Sequence, residues 1–213
     1  MHPLLKLYTM IGNLFVMMCT YLIGFCFMEC GPIASGLSFN GYDSDGNAKH
    51  DRVRSVNLYG LATSSTVKDF LASWNISVHE WLKYYVYLRQ LDNKKKGSSN
   101  LSASLVAFMV SAIWHGFYPG FFSFFFFAFV MDHWSKLAGP ILNPYFNWMP
   151  SVVQNVLCTV FYYIGCSYFS IAFVLLNFCD FHQVYLTMNY ALHIFFVGTL
   201  PLLFAIKPKR TRI

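Results

Sequence analysis

One histidine of this chain stands out for where it sits. His115 falls inside residues 101–131, a run with no formally charged side chain. If that run spans a bilayer, an imidazole between Trp114 and Gly116 lies too deep to snorkel to the interface. Such a side chain faces a bundle interior or a water-filled cavity, and neutral imidazole there can take a proton from a weak oxygen nucleophile. A histidine hydrogen-bonded to a neighbouring helix is the plain structural alternative. The other histidines compete less well. His79 comes four residues after Asn75 and is a weaker alternative base, while His133 beside Asp132 reads as an interfacial pair. His182 is expected in a short loop with Asp180, and His193 has no polar neighbour in sequence. No two histidines have an i,i+4 spacing, so no metal site is expected. The six cysteines, Cys19, Cys26, Cys30, Cys158, Cys166 and Cys179, form no C-x-x-C pair and lie in or beside apolar runs. They read as small hydrophobes rather than a disulfide framework.

The elements that carry these residues are set by composition. The chain has 213 residues, of which 56% are hydrophobic and only 11% charged. A soluble domain carries about 25% charged residues, and disordered chains are poor in aromatic and aliphatic ones. Both classes are therefore excluded, and an all-α, multi-pass membrane bundle remains. A bilayer core needs roughly 20 apolar residues of helix. Spans are expected at about 4–28, 152–176 and 184–206. Residues 101–131 as one helix would reach about 46 Å, and Pro119-Gly120 marks a turn in their middle. Two short spans, about 102–118 and 120–136, follow. With five crossings, all but Lys6 of the 15 Lys and Arg residues share one side. Basic segments stay cytoplasmic, which places residues 29–100 and the tail after 206 in the cytosol.

The polar segment 29–100 divides in two. Residues 31–63 carry turn signals such as Gly31-Pro32, Asn40-Gly41 and Asp45-Gly46, and predict compact irregular loop with only a faint calcium-loop likeness at Asp43 to Asn47. In residues 65–91, Trp74, Val78, Trp81, Leu82 and Tyr85 recur on one helical face, which predicts an amphipathic helix in the headgroup layer. Lys94, Lys95 and Lys96 follow as a juxtamembrane flank or a phosphate contact. Asn75-Ile-Ser77 and Asn100-Leu-Ser102 are glycosylation sequons that this topology leaves unmodified.

Three ordered motifs carry a resemblance. Trp74-Asn75-Ile-Ser-Val78 followed by Trp81 to Arg89 resembles the asparagine-bearing motif of the membrane-bound O-acyltransferases. Ser111-Ala-Ile-Trp114-His115-Gly116-Phe-Tyr-Pro119-Gly120 resembles that family's histidine motif. Ser35-Gly36-Leu-Ser-Phe-Asn40-Gly41-Tyr42-Asp43, with Asp51-Arg52 and Val56-Asn57 after it, looks like the lysophospholipid acyltransferase branch. His50 stands where the family has an aromatic residue. The likeness is to the C-terminal part of a longer fold, so the chain is expected to be one part of such a protein.

What the resemblance implies is acyl transfer from acyl-CoA, as co-substrate, to the free hydroxyl of a lysophospholipid at the endoplasmic reticulum, with no further cofactor. His115 would be the general base and Asn75 an amide donor toward the thioester oxygen, with Trp74, Trp114, Tyr87 and Arg89 as substrate contacts. The partners expected are acyl-CoA, lysophospholipid and the bilayer, and no nucleic acid. The Phe-rich stretch 121–129 would line an acyl tunnel or simply pack, and CoA would approach Lys83, Arg89 and Lys94 to Lys96. Acyl transfer to another alcohol (a sterol, diacylglycerol or a protein serine) and a catalytically incomplete membrane fragment are the alternative readings.

Overall fold

A computed structural model describes residues 3–92 and 100–206. The basic run Lys94 to Lys96 and the tail after Ile206 lie outside the described residues. Ten α-helices follow one another: α1 (Pro3–Ala34), α2 (Leu58–Ala62), α3 (Val67–Leu71), α4 (Ile76–Leu82), α5 (Leu88–Asp92), α6 (Asn100–His115), α7 (Pro119–Phe146), α8 (Ser151–Leu175), α9 (Phe178–Leu186) and α10 (Ala191–Ile206), with a π-helical turn, Lys83–Tyr87, between α4 and α5. No β-strand occurs among the described residues, only a bridge between Tyr42 and Ala48. The all-α membrane architecture expected from composition is the one observed.

By length and hydropathy α1 and α8 each suffice to cross a membrane, and α9 with α10 would make a third crossing bent by 82°. The 16-residue α6 is apolar but shorter than a full span. Boundaries depart from the expected spans in three places. Helix α1 runs on through Pro32 to Ala34. Helix α7 continues past 136 to Phe146 through Pro140 and Pro144. Four residues apart, these prolines put their missing donors on one face, and the helix survives them. The stretch 184–206 is not one helix, because Asn189 and Tyr190 both take positive φ, 51° and 48°, and turn the chain between α9 and α10.

Helix α7 is the centre of the assembly, packing on α6, α8 and α10, while α1 packs on α8 and the short α3 on α7. The core is built from aromatic rings. Phe127 stacks on Phe169 with centroids 4.8 Å apart and planes 3° from parallel. Tyr168 stacks on Tyr185 at 5.0 Å. His193, without a polar neighbour in sequence, finds one in space: its Nδ1 lies 3.1 Å from the Tyr168 hydroxyl. His182 is on α9 rather than in a loop, and its ring meets the Tyr190 hydroxyl. Asp132 pairs with Lys136 one turn on, and the His133 ring stacks on Phe129 and meets Phe204 at a tilt. Adjacent residues on a helix point about 100° apart, so i,i+4 partners meet and i,i+1 partners do not.

Two glycines fix the α6–α7 junction. Gly116 closes α6 at φ +127°, a conformation that side chains with a Cβ rarely adopt. Gly120 lets α7 start against the end of α8: its N–H donates to Leu176 O at 2.8 Å, and a Cβ there would lie 2.0 Å from Ala172 O. The turn read from Pro119-Gly120 is a close helix–helix contact as well.

Candidate active site

His115 is the last residue of α6 and sits in a cage of three phenylalanines. Its ring centroid is 5.1 Å from Phe125, 5.1 Å from Phe173 and 5.6 Å from Phe121. The first and last of these lie four residues apart on α7, so one face of that helix presents both. Among the described residues no hydrogen bond engages the His115 ring, which sets it apart from His182 and His193.

Asn75 is brought to the same place by a break in the chain. The helix expected over 65–91 is instead α3, a turn, α4, the π-helical turn and α5. Asn75 holds the break in the left-handed region, φ 48° and ψ 51°, at the N-cap of α4. Asparagine tolerates that conformation better than most residues with a Cβ. Its side chain makes no capping bond to α4. A strap over residues 55–57 clamps the turn from outside: Ile76 N–H donates to Ser55 O at 2.8 Å, and Asn57 N–H to Ser73 O at 2.9 Å. Glu29, near the end of α1, accepts from Ser55 N–H at 2.5 Å and ties the strap to the bundle.

Both residues line one cavity of about 550 Å³ between α1, α3, α4, α6, α7 and α8. That volume is in the range of small-molecule sites, roughly 300–1,000 Å³. Of the expected contacts, Trp74 and Tyr87 line it too. Trp74 forms a wall with Phe25 and Phe70, its ring 5.1 and 5.7 Å from theirs. Trp114 and Arg89 are not among the lining residues. Trp114 is 63% exposed and packs on Trp81 at 5.6 Å, and the Arg89 guanidinium lies over the Tyr85 ring at 5.2 Å. The aromatic stripe has in fact divided: Trp74, Val78 and Leu82 face the cavity, while Trp81 and Tyr85 stack on each other outside it. The Phe-rich run divides as well. Phe124 and Phe125 line the cavity, Phe127 packs in the core and Phe126 is 41% exposed.

His79 also lines the cavity. Burial, and then neighbouring Lys83, hold its imidazole below the usual value, against the opposing pull of Glu80. Further polar residues in the lining were not anticipated as site residues, among them Lys68, Ser104, Ser111, Asp132 and Lys136. The signal for the last two was present. Phe124, Phe125, Ala128, Met131, Asp132 and Lys136 recur at three- and four-residue steps, one continuous face of α7. Near Asp43 the acidic loop is a turn cap: its carboxylate accepts the N–H groups of Asp45 and Asn47 at 3.0 and 2.8 Å. Those bonds, Asn47's backbone donor first, hold its carboxyl below the usual range.

A cavity walled by aromatic and aliphatic side chains, with the imidazoles of His115 and His79 and one uncapped amide, can hold a long apolar group beside a proton acceptor and a neutral hydrogen-bond donor. Comparison with known proteins agrees with that chemistry. The model of the family described as MBOAT, membrane-bound O-acyltransferase family, matches residues 2–178. The chain is similar to lysophospholipid acyltransferase 6 of Drosophila melanogaster, 28% identical over 87% of this chain and 26% of the relative. It is similar to membrane-bound glycerophospholipid O-acyltransferase 2 of Homo sapiens, 30% identical over 84% of this chain and 33% of the relative. With lysophospholipid acyltransferase 1 of Arabidopsis thaliana it is 30% identical over 86% of its length and 40% of the relative's. The chain thus spans between about a quarter and two fifths of these curated relatives. The match over most of its length shows that this chain belongs to the membrane-bound O-acyltransferase family.

Proposed function

We propose that this chain carries the reaction centre for acyl transfer from acyl-CoA to the free hydroxyl of a lysophospholipid, in the membrane of the endoplasmic reticulum. The observation that carries the reading is the convergence of Asn75 and His115, forty positions apart, on one apolar-walled cavity. A glycerol hydroxyl is a poor nucleophile at neutral pH and needs a base within hydrogen-bond reach. The neutral His115 imidazole takes its proton as the oxygen attacks the thioester carbonyl. The Asn75 amide donates to the carbonyl oxygen as negative charge grows on it. Collapse of the tetrahedral intermediate expels the CoA thiolate, which is protonated by the imidazolium or by water. No acyl-enzyme is required. The rings of Phe121, Phe125 and Phe173 fix the plane of His115, so its orientation is set before substrate arrives. In this reading α6 and α7 supply the two middle crossings, and residues 29–100 with the C-terminal tail face the cytosol, where acyl-CoA resides.

The test is acyl transfer by membranes containing the chain, with labelled acyl-CoA and a panel of lysophospholipids. Transfer is expected, and His115→Ala should lower it by about 10²-fold or more with insertion unchanged. Near-wild-type turnover in that variant would sink the assignment of the base. Label arriving on sterol or diacylglycerol, and not on any lysophospholipid, would favour the other alcohols.

A further inference from the structure

Asp132 is the one carboxylate among the residues lining the cavity, and it is buried to 4% relative exposure. Lys136 donates to its Oδ2. Its Oδ1 makes no hydrogen bond among the described residues. A carboxylate accepts on both oxygens, so a second cation can be bound without breaking the first pair. The cavity that Asp132 lines also presents aromatic rings: Tyr162 and Phe70, with centroids 5.6 Å apart, and Trp74, on which Phe70 stacks. Rings of this kind attract a desolvated ammonium through their π faces.

Position along α7 gives the second argument. Phe125, against His115, and Asp132 lie on the same cavity-lining face, seven residues apart. At 1.5 Å per residue the separation along the axis is about 10 Å. An extended chain of glycerol carbon, phosphate and alkylammonium is of comparable length. Beyond Asp132, Lys136 has donors left for a phosphate oxygen, and Lys68 lies at the same cavity.

We propose that Asp132, with Lys136, is a headgroup-recognition site for a zwitterionic lysophospholipid, taking the ammonium on Oδ1 of Asp132 and the phosphate on the Lys136 ammonium. The proposal rests on the acyl-transfer reading for the identity of the lipid. Lys68, Lys83 and Lys136 by themselves would favour an anionic headgroup. All three are exposed and screened by salt, however, whereas the Asp132 charge acts from a buried position where a partner is worth more. The buried carboxylate therefore decides the preference.

The experiment measures binding and turnover separately. The full chain in nanodiscs is titrated with lysophosphatidylcholine, lysophosphatidylethanolamine and lysophosphatidylglycerol, following tryptophan fluorescence. Acyl transfer to each lipid is assayed in parallel. The zwitterionic lipids are expected to bind at least about tenfold more tightly than the glycerol lipid, and Asp132→Asn should erase that margin. Equal binding of all three by the unaltered chain would overturn the proposal without any variant, so a misfolded Asp132→Asn protein leaves it testable. A margin that persists in folded Asp132→Asn would overturn it as well. Selective binding without transfer to any acceptor would uphold this site and refute the acyl-transfer reading alone.

Discussion

At the scale of single residues, Asn75 has two separable roles. Its backbone holds a left-handed turn between α3 and α4, and its amide is left for the cavity because it caps nothing. Substitutions can pull these apart. Asn75→Gly retains a backbone at home at φ 48°, and should keep the fold while losing the amide donor. Asn75→Ala loses the donor too and adds about 1–2 kcal/mol of left-handed strain. Both variants should lose acyl transfer by about 10²-fold, the magnitude of one missing oxyanion donor, whereas only the alanine variant should melt earlier. Thermal unfolding in detergent and initial rates on the same preparations measure the two effects. Equal activity of Asn75→Gly and the unaltered chain would assign Asn75 to the turn alone. His115 offers no such separation, since it ends a helix whose closing conformation belongs to Gly116.

At the scale of elements, the site depends on contacts between helix ends. Gly120 is where the start of α7 meets the end of α8, and Phe121 and Phe173, which cage His115, lie within three residues of that contact. Gly120→Ala would force its Cβ into Ala172 O and Leu176, and the helices would have to separate. Overpacking of this kind costs about 1–3 kcal/mol. A lower melting temperature is expected, with a loss of turnover larger than the loss of folded protein, because the His115 cage shifts with α7. A full-activity Gly120→Ala protein would show that the junction tolerates repacking. This junction was legible in the sequence, since Pro119-Gly120 interrupts an apolar run too long for one span. The break at Asn75 was not. The aromatic stripe from Trp74 to Tyr85 keeps a helical period, and the π-helical turn over Lys83–Tyr87 restores cavity contact for Lys83 and Tyr87 that an unbroken helix would not have assigned to them. The bend at Asn189 and Tyr190 has no glycine or proline to announce it. For Asp132 the sequence reading named His133 beside it and not Lys136, the i+4 partner that helical geometry brings to it.

At the scale of the whole molecule, the number of crossings between α1 and α8 decides which side of the membrane each end of the cavity faces. If α6 and α7 cross as a pair, the segment after α1 and the segment after α8 lie on opposite sides. If they amount to a single crossing, those two segments share a side. Charge favours the pair, because a single crossing would move the basic tail away from the basic segment 29–100. Two cysteines report the answer. Cys30, near the end of α1, and Cys179, on α9, are both exposed. In sealed microsomes carrying single-cysteine versions of the chain, a membrane-impermeant maleimide should label Cys30 directly and Cys179 only after permeabilisation. Labelling of both from the same side would remove one crossing. It would then detach the tail from the face where the other basic residues lie, and with it the electrostatic argument that acyl-CoA enters from that face. The opposite-side result would place the strap, Asn75 and the lysines at the cavity on the side where an anionic, water-soluble acyl donor is available, which the proposed chemistry at His115 requires.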